Sequence, residues 1–202
     1  MTKKINLVIL FLLSFMCIFS CVSTPKSETP QNPIVEKKET QNIQQLILEG
    51  RSNEAKELLQ AKIDINETDE YGNTALHTAA KINDTDLVTF FIYKGANVEL
   101  KNNDGDTPLH IAIKHNSKGT TAVLAAIGTN IFARDGKGKS ALELGLEKGY
   151  EYYDALITTK TGLAKDDNNR NLVHYLVEKE DKDALAYCLK KEIPLSVIDV
   201  NG

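Results

Sequence analysis

Three histidines, His77, His110 and His174, recur at intervals of 33 and 64 residues, and an imidazole that returns so regularly invites a metal or proton-transfer role. Zinc asks for more, since no Cys, Asp or Glu accompanies any of them at ligand spacing. The stretch GKGKS, Gly136 to Ser140, hints at phosphate chemistry. A phosphate loop, however, separates its two glycines by four residues and follows a buried strand, whereas these glycines are only two apart. Cys188 lies in ALAYCLKK, where Leu185, Cys188 and Leu189 share one helical face, the setting of an inert core thiol rather than a nucleophile. With no nucleophile motif and no paired-cysteine site, the chain reads as non-enzymatic, with no cofactor, no metal and no small-molecule substrate.

The regularity belongs to the elements that carry these residues. The chain has 202 residues, 42 % hydrophobic and 26 % charged, enough for one medium domain with a core. A net charge of −4 provides no basic field, so nucleic acid is not an expected partner. From Gln41 onward the sequence aligns with itself. Asp69, Asn102, Asp135, Asp166 and Asp199 open successive units at separations of 33, 33, 31 and 33. Three residues later stand Gly72, Gly105, Gly138, Asn169 and Gly202, types that tolerate the positive φ of a tight turn. Thr74, Thr107, Ser140 and Asn171 follow as helix N-caps, with Pro108 at a first helical position. The first helices should stop at Gly50, Asn83, Asn116 and Gly149, a column that Glu180 breaks. Second helices follow with apolar faces such as Leu87, Phe90 and Phe91, or Leu185, Cys188 and Leu189. One such pair cannot bury that face alone, so the units must stack as a solenoid.

DGDTPLHIAI and YGNTALHTAA, with KGANVE after the second, resemble the ankyrin repeat. The resemblance covers Gln41 to Gly202 and implies an all-α ankyrin-repeat solenoid of about five units. It departs from the pattern in units four and five, where Glu143 replaces the histidine and two residues are missing before Asp166. In this family the histidine braces the turn by backbone hydrogen bonds. Gln41 to Asn66 reads as the N-terminal cap, whereas DVNG at Asp199 to Gly202 opens a sixth unit, so the array is expected to continue past residue 202.

The start of the chain differs. Lys3 and Lys4 precede the uncharged run Leu7 to Phe19, thirteen residues long, too short for a membrane span of about 20 residues but fitting an export signal. Ile18, Phe19, Ser20 and Cys21 resemble the lipobox of bacterial lipoproteins, which implies a signal peptide over 1–20 and acylation of Cys21. An uncleaved anchor and an ordinary export signal are the alternatives. Two or three acyl chains would hold the protein firmly to a membrane without spanning it, placing it in the bacterial cell envelope, periplasmic or surface-exposed. Residues 22–40, with Pro25, Pro30 and Pro33 among polar residues, read as a disordered linker spanning on the order of 25 Å.

In ankyrin arrays, fingertips and adjoining ends of first helices form a concave partner-binding face. Carried onto this chain, that face includes Tyr71, Asn73, Lys81 and Ile82 in one unit and Asp104, Asp106, Lys114 and His115 in the next. Lys137, Lys139 and Arg170 complete it, and Tyr71 and Ile82 are the expected apolar anchors. The function so implied is a membrane-anchored scaffold for another protein. The alternative is a recognition arm for a catalytic domain lying beyond residue 202.

Overall fold

Each column of residue types folds into one local structure, repeated. The computed structural model describes residues 42–60 and 63–194. The expected signal segment 1–20, Cys21, the linker 22–40 and the opening of a sixth unit at Asp199 to Gly202 lie outside them. Helices come in pairs: α1 (Ile43–Leu48) with α2 (Ser52–Gln60), α3 (Ala75–Lys81) with α4 (Thr85–Tyr93), and α5 (Pro108–Lys114) with α6 (Lys118–Ile127). Next come α7 (Ala141–Glu147) with α8 (Tyr150–Leu156), a short α9 (Thr159–Leu163), and α10 (Leu172–Glu178) with α11 (Lys182–Lys190). No strand occurs among the described residues; the fingers between pairs carry only isolated antiparallel bridges such as Thr68 to Thr74.

The opening Asp or Asn of each unit holds its finger closed. Oδ1 of Asp69 accepts from the N–H groups of Tyr71 and Asn73 at 3.0 and 2.7 Å. Asn102, Asp135 and Asp166 repeat this grip on the residues two and four further on. A short side-chain oxygen fits here, which is why both residue types occur in the column. Consecutive fingers are then stitched together: Asn103 N donates to Tyr71 O at 3.0 Å and Gly136 N to Asp104 O at 2.9 Å. That ladder explains GKGKS, because a Cβ on Gly136 would sit 2.4 Å from Asp104 O.

Thr74, Thr107, Ser140 and Asn171 cap their helices as expected, and each N–H is answered by the residue three positions on. Glu143 keeps the histidine's post, accepting from Ser140 N at 2.8 Å and Ser140 Oγ at 2.9 Å. First helices end at Gly50, Asn83, Asn116 and Gly149 with positive φ, and Glu180 adopts the same left-handed backbone at φ 53°. Its N–H donates to Val177 O while Asp181 N donates to Leu176 O, so the paired terminal bonds outweigh the side chain's steric cost of about 1–2 kcal/mol.

The core is a continuous file of Leu76, Leu109, Leu142 and Leu172 on first helices and Leu87, Phe91, Leu124, Leu156 and Cys188 on second helices, all but fully buried. Leu189 differs from expectation: it is 61 % exposed, because one residue past Cys188 is about 100° around the helix from the face that buries Ala184 and Cys188. First helices stack α1 on α3, α3 on α5 and α5 on α7. The stacking of first helices is interrupted between α7 and α10, where no comparable packing exists, although second helices still stack across that junction and the buried core runs on. Here the two missing residues and α9, which packs on α6 and α10, replace the usual loop. The junction is clasped instead by second-helix aromatics. Tyr153 Oη donates to Asp181 Oδ2 at 2.8 Å, Tyr187 Oη donates to Asp154, and both rings meet Tyr150 edge-on.

Candidate functional site

The three recurring histidines are structural. Thr74 N donates to His77 Nδ1 at 3.1 Å, so the ring proton sits on Nε2, which donates to Asp106 O in the next unit at 3.0 Å. His110 and His174 repeat the cap, yet their Nε2 atoms find no partner among the described residues. Burial holds His77 and His110 below the usual histidine pKa, which keeps both neutral and acceptor-competent. Sequence reasoning missed Gln44, which stands 33 residues before His77 and donates from Nε2 to Asn73 O at 3.0 Å in the same role. The signal was its place in the histidine column. Cys188 is buried, which pushes its thiol up to about 11, so no thiolate is available at neutral pH.

The surface feature nearest to the expected binding face is a groove of 390 Å³ across the first three units. Its apolar lining comes from Leu48 at the end of α1, Tyr71 at a fingertip and Ile111 on α5. Leu48 and Tyr71 are 54 % and 64 % exposed, so both offer area that a partner could cover. The rim is polar: Asn73 and Lys81 from one unit, Asp104 and His115 from the next. Partial burial and then the Lys81 ammonium hold His115 below its usual value, so Lys81 carries the positive charge of this rim at neutral pH. Six of the residues expected on the face behave otherwise or elsewhere. Ile82 caps the end of α3 and does not line the groove.

Asp106 and Lys114 are corrected outright. Asp106 is buried, and Lys114 reaches between Asp106 Oδ1 at 2.5 Å and Asp135 Oδ2 at 2.9 Å, the two carboxylates being 5 % and 2 % exposed. Burial works against the Asp135 charge, but the Lys114 ammonium and the N–H groups of Lys139 and Lys137 bring its pKa down to about 2. These contacts join units three and four and commit Lys114, half-buried, to two carboxylates of the array itself. Arg170 is likewise committed: it binds Asp166 at 3.1 Å, Glu178 at 3.2 Å and Tyr175 Oη at 2.8 Å, with its guanidinium over the Tyr175 ring. Lys137 and Lys139 line a separate cleft at the fourth finger.

Stacked helix pairs, stitched fingers and the cap histidine reaching into the next unit are accompanied by a sequence match to the family "Ankyrin repeats (3 copies)", over residues 43–135 and again over 76–163. No curated protein matches the chain. The two family matches together span more than half of the sequence, and the chain belongs to the ankyrin-repeat family.

Proposed function

We propose that this chain is a non-enzymatic scaffold that grips another protein in the groove of its first three units, while acylated Cys21 holds it to the bacterial cell envelope. The observation that carries the binding role is the apolar trio Leu48, Tyr71 and Ile111 inside a charged rim of Lys81 and Asp104. Aromatic and aliphatic anchors in a concave setting supply affinity, and rim charges of both signs select the partner. The envelope location rests on the sequence: the uncharged run ending at Ser20, the cysteine that follows, and a Pro-containing polar stretch long enough to hold the repeats away from lipid headgroups. No described helix is long and apolar enough to cross a membrane.

A photoreactive phenylalanine analogue placed at Tyr71 in living cells should yield a discrete crosslinked species. Tyr93, 84 % exposed on α4, is the matched control on a second helix. The same species from both positions, or none from Tyr71, would remove the groove from the proposal.

A further inference from the structure

At the earlier junctions each finger tip passes a hydrogen bond to the next, from Asn103 N to Tyr71 O and from Gly136 N to Asp104 O. One step further, the corresponding pair is Asp167 N and Lys137 O, and neither makes a hydrogen bond among the described residues. The glycines report the same gap. A Cβ on Gly72 would lie 2.6 Å from Asn103 and one on Gly105 2.5 Å from Gly136, whereas a Cβ on Gly138 would meet nothing within 4 Å. Where the first helices α7 and α10 part, a cleft of 560 Å³ opens between the fourth finger and the end of α10, with Leu146 on its wall.

Its charges are unevenly committed. Glu147 is taken by Lys139 at 2.6 Å, and Glu143 by the Ser140 cap and Arg134. Asp181 accepts from Ala184 N at the start of α11 and from Tyr153 Oη. Lys137 and Lys179 face the same cleft and have no ion pair among the described residues. We infer that this cleft is a second binding site, for an extended acidic peptide segment that takes the place of the missing finger contact. Its backbone would pair with the unused Lys137 O, as a strand added to an open edge, while its carboxylates meet Lys137 and Lys179. An apolar side chain between them would rest on Leu146. This site is separate from the Tyr71 groove and stands or falls independently of it.

The test is amide NMR of the isotope-labelled full chain, titrated with a blocked decapeptide of alternating Glu and Val and with its Gln-Val counterpart. Shifts should concentrate at Lys137, Gly138, Lys139 and Lys179, with the Gln peptide binding about tenfold more weakly, as expected from losing two partly exposed charge pairs. Replacing both lysines, Lys137→Gln with Lys179→Gln, should erase the difference between the peptides, with the amide pattern of α3 to α6 showing that the fold is intact. Tyr71→Ala should leave this binding unchanged. Equal affinity for the two peptides, shifts confined to other residues, or no shift at millimolar peptide would overturn the proposal. Peptide binding here with no crosslink at Tyr71 would count against the groove alone.

Discussion

The imidazole of His77 shows how a residue type associated with catalysis is absorbed by structure. Its Nδ1 must accept from Thr74 N and its Nε2 must donate to Asp106 O, so only the neutral ring fits. In the unfolded chain His77 and His110 titrate near the ordinary value of about 6.5, whereas burial lowers both in the folded state. The unfolded chain therefore binds more protons between the two values. Stability is fully present above about pH 6.5 and is lost as pH falls from there toward the folded-state values. A glutamine amide carries both an acceptor and a donor, and Gln44 already donates to Asn73 O as His77 does to Asp106 O. His77→Gln combined with His110→Gln should therefore flatten the decline of the urea midpoint between pH 7 and 5 while preserving most stability at pH 7. A slope identical to that of the unsubstituted chain would refute this account.

Elements were readable wherever a column of residues shares one physical need. Turn glycines and asparagines, N-cap hydroxyls and the helix-ending positions all announced themselves, because few residue types satisfy a positive φ or an orphan N–H. Glu180 hid its left-handed backbone behind an atypical side chain, and α9 had no counterpart in other units to align with. Lys114 and Asp106 looked like surface charges because their helix end and finger are polar, while their burial depends on Asp135 from the following unit. That three-way contact yields a prediction about how elements hold together. Lys114→Met leaves two buried carboxylates without a cation and should cost about 3–5 kcal/mol at pH 7. The Asp135 pKa of about 2 lies below the unfolded value of about 3.9, so the contribution of this carboxylate is present above pH 4 and fades as pH drops toward 2. Denaturant curves at both pH values should show the variant's deficit shrinking in acid, and a deficit independent of pH would contradict the assignment.

The whole molecule couples a repeat array to an N-terminal segment of quite different composition. If Cys21 is the acylated residue, the intact mass of protein from membranes should equal the chain lacking residues 1–20 plus a diacylglyceryl group and an N-acyl chain, and Cys21→Ser should leave an unmodified product. A mature start elsewhere, with an unmodified Cys21, would refute the anchor. If the chain is exported, the order of assembly is constrained as well. His77 bonds a carbonyl 29 residues downstream, and Lys114 a carboxylate 21 residues downstream, so the second and third modules are not finished until the next has arrived. A chain delivered from its N-terminus would acquire its native contacts like a zipper closing behind the translocating strand, each tooth waiting for its successor.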